Sequence, residues 1–130
     1  LIYSSELDRG FDILELTPSD KISANEIAAA KLVRMEQYNP QSQPKIVWPA
    51  AFPVVRSYLD QLVRGNGLAA ERTTAIASAL EAAEKKSGGT RRTALNALAN
   101  QVDKDVSGSK DQERVRAMAA AIRALAKRAG

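Results

Sequence analysis

Two residue types that commonly carry protein chemistry are missing: the sequence contains neither cysteine nor histidine. Without cysteine the chain forms no disulfide and offers no thiolate, and its redox compartment is undecided. Without histidine it lacks the commonest general base and metal ligand. Ser-His-Asp catalysis, zincin chemistry and histidine ligation of haem are therefore excluded from within these residues. We predict no catalytic residue, no metal ligand and no cofactor, and expect that the protein is not an enzyme.

Aromatic residues and long apolar runs are also scarce. Aromatics make up 5% of the 130 residues, while the hydrophobic fraction is 45% and includes many alanines. This composition favours close-packed helices over a large ligand cavity. No apolar run reaches the roughly 20 residues that span a bilayer, so no transmembrane segment is predicted. The length suits one domain with an arm.

Charge is divided unevenly along the chain. Residues 1–44 carry seven acids and four bases, net −3, whereas residues 45–130 carry fifteen bases and eight acids, net +7. Basic helices can face nucleic acid, anionic lipid or an acidic protein surface, although a solvated helix face is the simpler explanation. One loop groups four cations into a candidate basic patch: Lys85, Lys86, Arg91 and Arg92. The sequence disfavours nucleic acid as a partner, since no aromatic platform lies among them.

The N-terminal segment, residues 1–20, has the pattern of a β-hairpin. Strands are predicted over 1–5 and 11–16, and Asp8-Arg9-Gly10 supplies the turn, with Gly10 able to take a positive φ. Phe11, Ile13 and Leu16 are expected to be buried. Because a two-stranded hairpin is marginal in water, it should lie on the helices, join a partner's sheet or belong to a larger sheet.

A capped helix is predicted next, within residues 21–38. Ser23 as N-cap and Glu26 three residues later form a capping box, and the helix should run from about Ala24 to about Gln37. Met35 is interpreted as a core filler rather than a metal ligand. The expected apolar stripe consists of Ile27, Ala28, Leu32, Met35 and Tyr38.

Residues 39–53 are predicted to form a Pro-rich extended arm, because four prolines recur every four or five residues. Phe52 is assigned to the chain's own core. For Trp48 two alternatives stay open: burial within the chain, or contact with a partner, since Trp is enriched at interface centres.

Residues 54–130 are predicted to form a helical bundle. Helices are expected from Pro53 to about Gly65, with Gly65 as a left-handed C-cap, and over about 69–86, ended by Ser87-Gly88-Gly89. Two more are expected after the candidate cap Thr90 and from Ser109, whose capping-box partner would be Gln112. Short connections favour antiparallel neighbours. The predicted fold is therefore mainly α: an antiparallel four-helix bundle preceded by a short β-hairpin, one further helix and the Pro-rich arm. The residues expected to face inward are Val55, Tyr58, Leu59, Leu62, Thr73, Ile76, Leu80, Ala83, Leu95, Leu98, Val102, Val106, Val115, Met118, Ala119, Ile122, Leu125 and Ala126.

Two partial resemblances add to this picture. The Tyr-containing stretch 2–16 resembles the end of a blade in secreted LVIVD-repeat β-propeller proteins. The stretch from Val55 to Leu125 is similar to the FIMAH-like helical modules of secreted bacterial proteins. The matching positions are Tyr58-Leu59-Asp60-Gln61-Leu62, Gly65-Asn66-Gly67-Leu68, Leu80, Ala82-Ala83 and 95–102. The resemblance implies a C-terminal fragment of an exported protein, or a reduced relative that lends its strands to another subunit, in either case periplasmic or extracellular.

Three functions are compatible with these observations. The first is a non-catalytic scaffold subunit that clamps a larger extracytoplasmic complex. Similarity to a small periplasmic subunit of bacterial photosynthetic reaction-centre and light-harvesting complexes suggests one setting. The second is a polyanion-binding module. The third is an enzyme that uses a Ser-Lys pair or the carboxylate pairs Asp103/Asp105 or Glu81/Glu84. It is disfavoured because residues two apart on a helix, such as Asp103 and Asp105, face apart, and because solvation at the surface explains such carboxylates. The predicted partner-binding residues are Ile2, Phe11, Ile13, Ile46, Val47 and Trp48.

Overall fold

The computed structural model describes residues 1–8, 10–35 and 39–129, and within them the protein is mainly helical with an N-terminal hairpin. This confirms the predicted class. A short 3-10 turn covers Pro40–Ser42, and residues 43–51 form neither helix nor strand. The strands are β1 (Ile2–Glu6) and β2 (Gly10–Leu14); the helices are α1 (Ala24–Ala30), α2 (Phe52–Arg64), α3 (Ala70–Glu84), α4 (Gly88–Asp105) and α5 (Gln112–Arg128).

The hairpin forms as the turn chemistry predicts. The strands pair antiparallel, with Ile2 opposite Leu14 at one end and Glu6 opposite Gly10 at the other. Gly10 adopts a φ of +90°, which a residue with a side chain rarely takes. The predicted burial of Phe11, Ile13 and Leu16 is wrong: all three are exposed, Phe11 by 63%. Turn geometry closes the hairpin locally, but within the described residues no helix packs against either strand.

Helix α1 begins where the sequence predicts. The Ser23 hydroxyl accepts from the Glu26 backbone N–H at 3.1 Å, and the Glu26 carboxylate accepts from the Ser23 N–H at 2.7 Å. The capping box is therefore confirmed. Of the predicted stripe, Ile27 is buried and Ala28 is partly buried.

The predicted length of this helix is wrong, because it ends at Ala30. The N–H groups of Leu32 and Val33 bond to carbonyls three residues back rather than four, which tightens the chain into a turn. Leu32 and Met35 are consequently exposed, and Met35 is not a core filler. Glu36, Gln37 and Tyr38 lie outside the described residues.

Helices α2 to α5 share one hydrophobic core. α2 packs against α3 and α5, α4 packs against the same two helices, and α1 packs on α2. Full burial of a large aliphatic side chain contributes about 1.5–3 kcal/mol, so this core dominates the stability of the protein. Its largest fully buried side chains are Leu62, Ile76, Leu80, Leu95, Met118, Ile122, Val55, Val102 and Val115. The predicted inward faces are thus largely confirmed; Tyr58 and Val106 are half-buried, and Phe52 packs on the core from its edge.

The turn between α2 and α3 corrects one prediction. Gly65, expected in the left-handed region, has a φ of −86°, and Asn66 takes the positive φ of +49°. The Asn66 N–H donates to Val63 O at 3.1 Å and the Gly67 N–H to Leu62 O at 2.8 Å. These are the two bonds of a Schellman motif, in which Asn is an accepted alternative to Gly.

Two helix starts also differ from prediction. α4 begins at Gly88, two residues before the expected cap Thr90, so the glycine pair opens this helix instead of only ending the previous one. The N-cap of α5 is Asp111, which accepts from the Arg114 N–H at 3.0 Å. The predicted cap, Ser109, is buried and bonds elsewhere, to the carbonyl of Gly67.

Candidate functional site

The hairpin presents an unusual amount of apolar surface. Tyr3 and Phe11 stack with their ring centroids 5.9 Å apart, yet both rings remain exposed. Beyond the strands, an exposed ion pair at 3.7 Å joins Glu15 to Lys31. Three predicted partner-binding residues, Ile2, Phe11 and Ile13, are thus exposed together on one two-stranded sheet. The sequence did not predict that Leu14 would be exposed as well.

Trp48 lines a groove of about 340 Å³ together with residues of α2 and α5. Val54 and Tyr58 line one wall of the groove, and alanines 117, 120, 121 and 124 of α5 line the other. Trp48 nevertheless keeps 42% of its surface exposed. Trp48 is therefore not fully buried within the chain, and its contact with a partner stays a prediction. Its neighbours Ile46 and Val47 are exposed, Val47 by 86%.

The four predicted basic-patch residues differ in their partners and in their exposure. Lys85 pairs with Glu81 at 2.6 Å. Arg91 is half-buried: its Nη2 donates to Glu84 O at 2.9 Å, and its guanidinium lies 5.9 Å from the centroid of the Phe52 ring. Lys86 and Arg92 are exposed. Lys85 is therefore balanced by a carboxylate, and Arg91 is turned towards a backbone carbonyl and a ring, so the four cations do not form one exposed patch.

The carboxylates considered for catalysis each have a separate cation. Asp105 accepts from Arg72 Nε at 2.7 Å, Asp103 pairs with Arg123, and Glu84 pairs with Arg56. A hydrogen bond from Arg123 lowers the pKa of Asp103, and one from Lys85 lowers the pKa of Glu81. A low pKa keeps a carboxylate ionised and makes it a poor general acid. The two carboxylates of each spaced pair therefore bind different cations and do not share one proton.

Glu26 forms a polar joint between α1 and α2 that the sequence did not predict beyond its capping role. Its carboxylate accepts two hydrogen bonds from Arg64, at 2.8 and 2.9 Å, and one from Gln61 at 2.9 Å. These hydrogen bonds, that from Arg64 foremost, lower the pKa of Glu26 to about 2. Beside it, Asn25 donates to Asp60 at 2.9 Å. The partners lie 35 to 38 positions apart, so no local pattern could reveal them.

Two kinds of site are absent from residues 1–8, 10–35 and 39–129. No group of three or more acidic, His or Cys side chains there could hold a metal ion. In the same ranges no helix has the length and apolar character needed to cross a membrane.

The chain was compared with known proteins in three ways. No protein-family model, no curated protein and no solved structure matches it. The resemblances to LVIVD-repeat propellers and FIMAH-like modules therefore stay predictions from the sequence.

Proposed function

We propose that the protein is a non-catalytic interaction subunit that clamps or stabilises a larger extracytoplasmic protein complex. The observation that supports this most directly is the hairpin, whose apolar side chains are exposed and against which no described helix packs. A hairpin of two strands is marginal by itself in water. A partner that adds a strand to its edge would satisfy the unpaired backbone groups and cover the apolar residues.

The helical part would serve as the rigid body of this clamp. We propose that α2 to α5 form an antiparallel four-helix bundle, which their common core and short connections support. Residues 39–53 would form the Pro-rich extended arm that joins this body to α1 and the hairpin. The hairpin and the body then offer two surfaces to one assembly.

The arm is the second proposed contact region. Ile46, Val47 and Trp48 are three consecutive exposed residues, and Trp48 lines the groove beside α2 and α5. A Trp that is already held on one side loses little conformational freedom when a partner covers the other side. Trp48 is therefore the side chain of the arm that we expect to contribute most to binding.

The charge of the hairpin segment indicates what kind of partner would bind it. The hairpin segment carries Asp8, Asp12 and Glu15, and residues 1–44 are net negative. We propose a protein partner with a free strand edge that is neutral or basic; an acidic surface of the assembly would face the basic helical body. A bacterial photosynthetic reaction-centre complex is one proposed setting, and it rests on the sequence similarity alone.

Site-specific photocrosslinking in the native cells tests this proposal. A photoreactive phenylalanine analogue replaces Phe11 or Val47, and the control position is Ala75, which is exposed on α3. We expect one discrete adduct with another protein from positions 11 and 47, in a fraction outside the cytoplasm, and none from position 75. Indistinguishable patterns at all three positions, or adducts only between copies of this chain, would contradict the clamp.

Polyanion binding is the alternative function, and the same protein can test it. Lys86 and Arg92 are the exposed members of the basic patch. Titration with duplex DNA at low and moderate salt separates the two functions, because phosphate contacts make affinity fall steeply with salt. Steep salt dependence that is lost in a Lys86→Gln/Arg92→Gln variant would favour the alternative.

A further inference from the structure

A cleft of about 350 Å³ opens where the ends of four helices meet. The start of α2 contributes Phe52 and Pro53, the end of α3 contributes Glu84, and α4 contributes Arg91. The end of α5 contributes Leu125 and Arg128. Its volume falls within the range of about 300–1,000 Å³ that is usual for small-molecule sites.

The cleft carries an excess of positive charge. Its lining contains two arginines, Arg91 and Arg128, and one carboxylate, Glu84, which pairs with Arg56. Because Arg56 already balances Glu84, the charges of Arg91 and Arg128 are the surplus. An anionic group of a ligand would neutralise them.

Both arginines have hydrogen-bonding capacity left. A guanidinium has five N–H donors. Arg91 uses Nη2 on Glu84 O, and its Nε, which has no partner among the described residues, is buried, so a ligand would meet the remaining N–H groups at the end of the guanidinium. Arg128 donates from Nη1 to Ala50 O across a long 3.3 Å. The hydrogen bonds to backbone carbonyls therefore use only some of the N–H donors of Arg91 and Arg128.

The rest of the lining is apolar. Phe52 is partly buried, and the guanidinium carbons of Arg56 and Arg91 lie 5.7 and 5.9 Å from the centroid of its ring. Pro53 and Leu125 extend the apolar surface. Aromatic rings favour offset or edge-to-face contact with another ring, so this surface suits an aromatic group.

We propose that the cleft binds a small aromatic carboxylate, with the carboxylate at Arg91 and Arg128 and the apolar body against Phe52, Pro53 and Leu125. The planar fork of arginine matches a carboxylate, which can accept two parallel hydrogen bonds. Glu84, held by Arg56, closes one side. The cleft includes the last arm residues, 50–53, but the arm residues proposed to contact the partner, Ile46, Val47 and Trp48, do not line it.

Titration of the isotope-labelled full chain with 3-phenylpropionate, followed by amide NMR, tests the site. We expect saturable shifts that centre on Ala51, Phe52, Arg91 and Ala129. The uncharged analogue 3-phenylpropanol should bind at least about tenfold more weakly, since it cannot pair with the arginines. Inorganic phosphate should not reproduce the shifts, because it lacks the apolar body.

Variants separate this site from general anion attraction. Arg128→Gln, an exposed position near the end of α5, should weaken 3-phenylpropionate by about tenfold, whereas the matched control Arg92→Gln should leave affinity unchanged. Amide spectra of each variant without ligand check that the fold is kept. Equal binding of acid and alcohol, equal effects of the two variants, saturable phosphate binding at the cleft, or no saturable shift would each overturn the proposal.

Discussion

Ser109 and Gly67 are 42 positions apart in the chain and are joined by a hydrogen bond: the Ser109 hydroxyl donates to the Gly67 carbonyl at 2.8 Å. The Lys110 N–H donates to the same carbonyl at 3.0 Å, and the Ser109 oxygen accepts from the Asp111 N–H at 3.0 Å. The loop before α5 is thereby fastened to the turn after α2. Ser109 and Gly67 are both buried.

Replacement of Ser109 by Ala should destabilise the protein by about 1–2 kcal/mol, because it removes a buried hydroxyl that serves two backbone groups. Urea denaturation followed by circular dichroism measures the change in the free energy of unfolding. Ser107→Ala, at an exposed position of the same loop, is the matched control and should change little. Equal midpoints for the two variants would show that the Ser109 bond contributes nothing net.

Gly67→Ala tests the close approach at the other end of this link. A Cβ at position 67 would lie 2.7 Å from Leu62 Cδ2, so the core side chain would have to move. We expect a loss of about 1–3 kcal/mol, the usual range for overpacking. Gly89→Ala is the contrast: it meets open space within α4 and should stabilise by about 0.5–1 kcal/mol. Unchanged stability in Gly67→Ala would mean that Leu62 repacks freely.

Glu26 should make stability depend on pH in the acid range. Its pKa is lowered from 4.5 to about 2 in the folded protein. A group with a depressed folded pKa binds protons more readily when unfolded, so its contribution is complete above pH 4.5 and is lost as pH falls towards 2. The contribution should be about 1–2 kcal/mol, since Arg64 is partly exposed and solvent screens the pair.

The measurement is the free energy of unfolding of wild type and Glu26→Gln across that pH range. The difference should be largest near neutral pH and shrink as the pH approaches 2. Glu15→Gln, whose carboxylate and partner are both exposed, should run parallel to wild type. A wild-type advantage over Glu26→Gln that stays constant with pH would argue against the ionised joint.

Trp48 should anchor the arm to the helical body. Trp48→Ala should cost about 1–2 kcal/mol, because little more than half of the residue's surface is removed from water where it lines the groove. Val47→Ala, at a position 86% exposed, should cost almost nothing. Thermal unfolding of both variants gives the comparison. Equal effects would mean that the groove contact of Trp48 is energetically neutral.

Local patterns predicted the helices well and their ends less well. The inward residues of α3, Thr73, Ile76, Leu80 and Ala83, follow helical spacing, and all four are buried. Ser109 fitted a capping box equally well, but a carbonyl 42 positions away competes for its hydroxyl. A cap depends on a side chain and an acceptor that the local sequence does not specify, so such errors concentrate at helix ends.

The candidate sites, too, were predicted only in part. Exposure of Ile46 and Val47 was anticipated by their predicted partner-binding role, and that of Trp48 by one of its two alternatives. The cleft between Arg91 and Arg128 was not, because its walls come from four helix ends separated by up to 78 positions. Arg91 was predicted as part of a surface patch, and packing on Phe52 turned it into a half-buried wall of that cleft.

The sequence by itself determined the absence of histidine and cysteine chemistry, the mainly helical class, the hairpin turn at Gly10 and the inward faces of the helices. These follow from composition and from contacts between residues a few positions apart. Tertiary structure alone decided that α1 stops at Ala30, that Ser109 bonds to Gly67 and that Glu26 joins α1 to α2. Each of those outcomes depends on which distant groups packing brings within hydrogen-bond distance or leaves exposed to water, and no local spacing encodes that.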